Sequence, residues 1–253
     1  MLLRAALTSF RRGEVLAAHP VSSTVDVSLE HLAAYNSVCG FGLRDALPLT
    51  YPHVLGFPLQ MKLMTGSGFP FPLPGLVHVA NRITQSRPLT SGEPLEITVS
   101  ARDLRPHPQG TQVDVVTSVS GVWEGVSTYL RRTGGSSGSG EELRRPAGSA
   151  VWRVPADIGR RYGAVSGDRN PIHLHPLSAK LFGFQRAIAH GMWTKARCLA
   201  ALEGRLPEAV TVDVRFKKPL LIPGRVEFSA RENTDGWEFG VWGRGPHLLG
   251  SAS

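Results

Sequence analysis

The most informative stretch of this 253-residue sequence is YGAVSGDRNPIH, which runs from Tyr162 to His173. Glycine tolerates positive φ, Asp and Asn side chains bond to nearby backbone, and Pro fixes φ, so the stretch is typical of a tight turn. In the plainest interpretation Asp168 caps that turn and His173 is an ordinary core or surface histidine. A carboxylate and an imidazole held on one turn can also perform general acid–base chemistry, so both interpretations stay open on these residues alone.

A second short motif, the pair His190-Gly191, lies 17 residues beyond His173. It precedes apolar residues at helical spacing, which predict a helix from Trp193 to Leu202. Backbone N–H groups in the first turn of a helix lack intrahelical acceptors and lie at the positive end of the helix dipole. Gly191 would therefore offer a free amide with no Cβ to block a ligand.

The two halves of the chain repeat a pattern. The segment SRPLTSGEPLEITVSAR at 86–102 resembles KKPLLIPGRVEFSAR at 217–231, and each half adds an alternating strand, Gln112–Val119 or Thr211–Phe216. A helix from Phe57 to Met64 is the expected first-half counterpart of the second-half helix. The sequence thus predicts an α+β tandem repeat with an N-terminal repeat at 1–132, a Gly/Ser-rich linker at 133–150 and a C-terminal repeat at 151–253.

Taken together, these motifs resemble the MaoC-like, or R-specific enoyl hydratase, family. Its signature is an aromatic residue, then Ser-Gly-Asp-x-Asn-Pro-hydrophobic-His, a small residue six positions later, here Ala179, and a His-Gly pair opening a central helix. The resemblance covers about 152–228 well and the first half only through the internal repeat. It implies a double hot-dog fold, in which each of two repeats is a long helix wrapped by an antiparallel β-sheet.

The resemblance also implies an activity, the reversible hydration of a trans-2-enoyl thioester to an (R)-3-hydroxyacyl thioester in fatty acid metabolism. Asp168 and His173 would share the reacting water, and the Gly191 amide would donate to the thioester oxygen. Supporting or substrate-binding roles fall to three further residues, Ser166, Asn170 and His190. No cofactor and no metal are expected. The substrate would be carried by coenzyme A or acyl carrier protein.

Four points qualify this expectation. A hot-dog acyl thioesterase or a non-catalytic acyl-thioester-binding subunit would share the fold, although the intact Asp168–His173 string disfavours both. The first half has only YNSVCGF at 35–41 where the second has its motif, so we expect it to be inactive. His175 stands where relatives often carry an acid, which we interpret as a local substitution. The Pro-rich segment 66–77 either shapes an acyl pocket or is an ordinary loop.

Composition narrows the partners. The net charge of +8 suits phosphates on a carrier arm, while the scattered basic pairs argue against nucleic acid. Two cysteines 159 positions apart indicate neither a disulfide framework nor a zinc site, which favours a reducing, cytoplasmic location. No apolar run is long enough for a membrane span. The acid-free segment 1–12 is interpreted as a surface segment and not a targeting peptide, and a homodimer is possible.

Overall fold

The computed structural model of the chain describes residues 15–134 and 150–253. The N-terminal segment 1–12 and most of the expected linker at 133–150 lie outside the described residues. Within the described part no helix is both long and apolar enough to cross a membrane.

In the part of the chain that the structure describes, ten antiparallel strands form one sheet. In chain order they are β1 (Val21–Val25), β2 (Leu76–Gln85), β3 (Leu95–His107), β4 (Gly110–Val119), β5 (Trp123–Arg132), β6 (Ala150–Val154), β7 (Val210–Phe216), β8 (Gly224–Asn233), β9 (Gly236–Trp242) and β10 (Pro246–Ala252). Their order across the sheet is β1-β3-β4-β5-β2-β7-β10-β9-β8-β6. The order within the second half is that of the first half reversed, as two copies of one five-stranded unit joined edge to edge require. This arrangement confirms the double hot-dog fold.

Seven helices accompany the sheet in the described residues. They are α1 (Leu29–Cys39), α2 (Tyr51–Leu55), α3 (Phe57–Thr65), α4 (Ile158–Ser166), α5 (Pro171–Leu174), α6 (Pro176–Leu181) and α7 (Gly191–Ala201). The predicted first-half helix is confirmed as α3. The predicted second-half helix is confirmed as α7, which begins two residues earlier than expected because His190 has the extended backbone of an N-cap residue.

The two halves join where β2 pairs with β7, a junction called the seam below. A lysine on α7 forms hydrogen bonds to both strands of the seam. Lys195 is fully buried, and its Nζ donates to the Oδ1 of Asn81 at 2.6 Å and to the backbone oxygens of Asn81 and Val212 at 3.0 and 3.2 Å. Burial lowers the pKa of Lys195 well below its ordinary value, while the three oxygen acceptors match the three N–H donors of its ammonium form. The central helix of the second half is thereby bonded to both strands of the seam.

Helices α1 and α4 are equivalent in the two halves and meet in the core. Each ends at a glycine in the left-handed region, Gly40 at φ 85° and Gly167 at φ 74°. The rings of Tyr35 and Tyr162 lie 6.3 Å apart between them. In the Pro-rich segment, Phe69 and Phe71 are buried in the core cluster, so it packs as an ordinary loop at these two positions.

Candidate active site

The turn after α4 places the aspartate of the motif through a chain of local hydrogen bonds. Ser166 Oγ accepts the Asp168 N–H at 3.2 Å, and Asp168 Oδ1 accepts the Asn170 N–H at 3.1 Å. Asn170 in turn caps α5, with its Oδ1 accepting the Ile172 N–H at 3.4 Å. Ser166 and Asn170 therefore stabilise the turn that carries Asp168. Of the Asp168 side-chain surface, 31% stays exposed.

Two glycines of α4 let this turn lie against the helix. A Cβ on Gly159 would lie 1.9 Å from the backbone oxygen of His173, and a Cβ on Gly163 would lie 2.9 Å from that of Asp168. Both contacts are with backbone, which cannot swing aside as a flexible side chain can. The sequence alone indicates no role for these glycines, although their spacing of four residues places them on one face of a helix.

The two motif histidines stack on each other beside the aspartate. The rings of His173 and His190 have centroids 3.7 Å apart and an interplanar angle of 27°. His173 Nδ1 lies 2.8 Å from the Ile188 carbonyl oxygen, which can only accept, so Nδ1 carries the proton and Nε2 presents a lone pair. By the same argument His190 Nε2 donates to the Asp168 carbonyl at 3.0 Å. The structure thus brings Asp168, His173 and His190 together.

Gly191 is the first residue of α7, next to this cluster. Its N–H has no intrahelical acceptor by its position, and no backbone acceptor for it occurs among the residues that the structure describes. The ring of Phe216 covers its Cα, because a Cβ built on Gly191 would lie 3.0 Å from two carbons of that ring. The glycine therefore keeps the amide close to Phe216 and open to a ligand.

Protonation in the cluster follows from burial and neighbouring charge. Burial opposes ionisation of Asp168, but nearby His190 and His173 and the Asn170 N–H outweigh it, so the pKa of Asp168 lies below its ordinary value. Burial lowers the pKa of His173 despite the Asp168 carboxylate, and burial together with His173 lowers the pKa of His190 to about 3. At neutral pH the site therefore holds one carboxylate and two neutral imidazoles.

The first half of the chain also reaches the site, which the sequence did not indicate. His31 Nε2 donates to the Val165 carbonyl at 2.8 Å and so ties α1 to the end of α4. The charge of Asp168 influences the pKa of His53, His78 and Tyr129, so these three side chains lie within its electrostatic range. Their contribution depends on packing between segments that are far apart in the chain, for which the sequence carries no local pattern.

The cluster could also be considered as a metal centre. Potential ligand atoms of Asp168, His173 and His190 all lie within 4.8 Å of one another. The stacked rings, however, hold their lone pairs in nearly parallel planes, whereas ligands of one ion must converge on it. A water that donates to two separate acceptors fits this geometry better. His175 lies outside the cluster, where its Nδ1 accepts the Leu177 N–H and caps α6.

The fold and the paired Asp168 and His173 beside a free helix N-terminal amide define a double hot-dog protein of the hydratase and dehydratase class. Residues 140–237 match the family described as MaoC like domain. The 3-hydroxyacyl-thioester dehydratase X of Mycobacterium tuberculosis is 44% identical over 220 residues, which cover 82% of this chain and 78% of the relative. The chain belongs to the MaoC-like dehydratase family.

Solved structures agree with this assignment. The crystal structure of HtdX from Mycobacterium tuberculosis superposes with a TM-score of 0.82 at 39% identity, covering 92% of this chain and 99% of that one. A MaoC-like dehydratase from Phytophthora capsici gives a TM-score of 0.74 at 19% identity, covering 94% of this chain and 96% of that one, and at that identity supports the fold alone.

Proposed function

We propose that this protein is a hydro-lyase that interconverts trans-2-enoyl and (R)-3-hydroxyacyl thioesters in fatty acid metabolism. The observation that carries the proposal is the pairing of the Asp168 carboxylate with His173, whose Nε2 is free, beside a helix that begins at the unbonded N–H of Gly191. The first two can hold a water, and the third can hold a carbonyl oxygen. A 44% identical relative named a 3-hydroxyacyl-thioester dehydratase supports the same chemistry.

The protonation states indicate how water is activated. Because Asp168 is ionised and His173 is neutral, both are acceptors, and one water can donate a hydrogen to each of them. As the water oxygen attacks Cβ, one proton passes to the dyad. The dyad then returns a proton to Cα on the same face, so the sum of the steps is the addition of one water across the double bond.

Attack at Cβ moves negative charge onto the thioester oxygen. The Gly191 N–H at the start of α7 is the group that meets this charge, and the helix dipole adds to its effect. A preorganised donor of this kind contributes about 3 kcal/mol to transition-state stabilisation. His190 has a positioning role, since it stacks on His173 and bonds the Asp168 carbonyl, and Ser166 and Asn170 support the turn.

The assay that tests the proposal follows crotonyl-CoA, and separately a longer trans-2-enoyl-CoA, by loss of the enoyl-thioester ultraviolet absorption. We expect hydration by the wild-type protein and a fall in kcat of roughly 100-fold or more in Asp168→Asn and in His173→Ala. Circular dichroism checks that both variants are folded. Folded variants with near wild-type rates would remove Asp168 and His173 from the reaction.

Product analysis separates this activity from acyl thioester hydrolysis. The hydratase yields an intact 3-hydroxyacyl thioester, whereas a thioesterase releases a free thiol that a thiol reagent detects. Release of thiol without hydration would replace the proposed function with hydrolysis, and an absence of both reactions would favour a non-catalytic binding subunit.

Three finer points belong to the same proposal. We propose coenzyme A or acyl carrier protein as the carrier, which the net charge of +8 supports. We propose a cytoplasmic location, supported by two buried, free thiols at Cys39 and Cys198.

We propose that two copies associate, supported by exposed apolar side chains on and beside α6 at Leu177, Leu181 and Phe182. Sedimentation velocity of the wild type and of Leu181→Glu tests the last point.

A further inference from the structure

A histidine of the first half stands at a bulge in the central part of the sheet. His78 pairs with Tyr129 of β5, while the next register pair on β2 is Ala80 with Thr128, so Val79 is an extra residue. Bulges of this kind change the direction of a side chain and are frequent next to active sites. The ring of His78 stacks on Tyr129 with centroids 4.7 Å apart.

The hydrogen bonding of His78 leaves one ring nitrogen without a partner. Nε2 is shielded from solvent and has no hydrogen-bond partner within the described residues. The ring bonds the backbone of Ala80, and this bond favours the protonated ring, so a ring N–H donates to the Ala80 carbonyl through Nδ1. In a neutral imidazole the other nitrogen then carries a lone pair. His78 Nε2 is thus a buried acceptor that lacks a donor.

The charge on His78 is fixed by its surroundings. Burial, and then the neighbouring His53 and Lys195, lower the pKa of His78 to about 3, against weaker opposing effects of Ala80 and Asp168. The ring is therefore neutral at physiological pH and can accept a hydrogen bond at Nε2 but cannot supply a proton there. An unmatched buried acceptor is costly, which makes the missing donor a feature that calls for a ligand.

The location of His78 identifies which part of a substrate could supply that donor. Its ring packs edge-on against Phe216 at 4.9 Å between centroids, and Phe216 covers Gly191. If the thioester carbonyl binds at Gly191, a group that reaches His78 must extend past Phe216, whose ring contacts both residues. An enoyl chain bears no N–H or O–H near that point. The carrier arm bears an amide N–H two carbons beyond the sulfur.

We propose that His78 of the first half binds the carrier arm of the substrate, with Nε2 accepting the amide N–H nearest the thioester sulfur. This inference rests on the proposed function and extends it, because it gives the half without the Asp–His motif a specificity role. The arm is common to coenzyme A and acyl carrier protein, so the contact selects thioesters of this arm over thioesters that lack the amide. His78 is a specificity-determining residue, and it transfers no proton.

A matched pair of small substrates tests the proposal. Crotonyl N-acetylcysteamine thioester carries the amide N–H, and its S-(2-acetoxyethyl) analogue replaces that N–H by oxygen at equal length. We expect wild-type kcat/KM to favour the amide substrate by about tenfold, the order expected for one hydrogen bond to a buried acceptor. His78→Phe, which keeps a ring but no acceptor, should reduce the ratio of the two kcat/KM values to about 1. His78→Gln, which keeps an acceptor, should restore part of it.

The controls separate this proposal from the proposed function. His107→Phe alters another histidine of the first half and should keep the wild-type preference, and Asp168→Asn should slow both substrates equally. An unchanged substrate preference in folded His78→Phe would overturn the proposal while hydration itself stands. Equal wild-type rates on the two substrates would overturn it without any variant, even if His78→Phe does not fold. If neither of the two small substrates nor crotonyl-CoA is hydrated, both proposals fail together.

Discussion

At the scale of single residues, the close contact between Gly191 and Phe216 limits which residues position 191 can hold. The sequence predicted that a side chain at position 191 would crowd the acyl group. The structure shows that a Cβ there first meets the Phe216 ring at 3.0 Å, a contact tight enough that the ring must shift to accept it. Since Phe216 also contacts His78, a larger residue at 191 disturbs both the amide donor and the ring beyond it.

Gly191→Val should therefore reduce kcat/KM on crotonyl-CoA on the order of 100-fold, as expected for a displacement of about 1 Å near reacting atoms. The melting temperature should change much less, because the displaced Phe216 is a side chain and not backbone. Adding Phe216→Leu to Gly191→Val should recover part of the rate by making space. Normal hydration by the single variant would exclude the Gly191 amide from the reaction.

The pH dependence of the rate follows from the two members of the dyad. The active form needs Asp168 ionised and His173 neutral, and the pKa of each lies below its ordinary value. Activity is lost as pH falls through the pKa of His173, which in the folded protein lies below the ordinary value of about 6.5. We expect kcat/KM to be level from about pH 6.5 to 8 and to fall only at lower pH.

Asp168→Asn provides the check on this assignment. The Asp168 carboxylate raises the pKa of His173, so its removal should move the acid limb of the residual activity to lower pH. Circular dichroism at each pH controls for acid unfolding, because His53, His78 and His190 are also held neutral in the fold. An acid limb that moves to higher pH in Asp168→Asn would contradict the coupling.

At the scale of elements, the close fit of α4 against the motif turn fixes the dyad. Helix α4 ends at Gly167, and the chain then folds back so that the backbone of Asp168 and His173 lies on the helix. Only glycine at 159 and 163 leaves room for this approach. Gly159 and Gly163, which precede the Asp–His motif, are therefore also needed for its geometry, although they contribute no reacting group.

Gly159→Ala tests this contact. The new Cβ would lie 1.9 Å from the His173 carbonyl oxygen, so α5 must move away from α4. We expect a loss of about 1–3 kcal/mol in the free energy of unfolding and a loss of activity on the order of 100-fold. Gly92→Ala is the matched control, since its Cβ would meet nothing within 4 Å. If the two variants have the same free energy of unfolding and the same activity, the close approach of α5 to α4 limits neither stability nor catalysis.

At the scale of the whole molecule, two similar halves have unequal roles. The first half has the residues YNSVCGF at 35–41 where the second has its motif, and these include no counterpart of Asp168 or His173. The first half contributes across the seam through Asn81, which bonds Lys195, through His31, and through the side chains within range of Asp168. Within the described residues, one set of aspartate, motif histidine and free helix N-terminal amide is therefore present.

We expect one functional site per chain. Calorimetric titration with a tight-binding, non-reacting substrate analogue should give a stoichiometry close to one. Asp168→Asn should keep that stoichiometry while it loses turnover, because the carboxylate acts on water more than on the bound thioester. Two equivalent binding sites per chain would mean that the first half is also functional.

The sequence by itself determined the fold class, the two central helices and the residues of the main cluster. It could do so because these depend on local patterns: helical spacing after His190-Gly191, alternation in the strands, and the turn chemistry of Ser166 to Pro171. Such patterns involve neighbours in the chain, and their physical meaning does not depend on what packs around them. The domain boundaries at 132 and 150 stay a prediction.

Only the tertiary structure decided which groups meet across long sequence separations. The stacking of His173 on His190, the position of Phe216 over Gly191 and the bonding of Lys195 to Asn81 each require distant segments to pack together. The same holds for the protonation states, because burial and neighbouring charge set a pKa and neither is a local property of the chain. The acceptor on His78 became visible only when its surroundings were known, since a missing hydrogen bond is a property of the folded molecule.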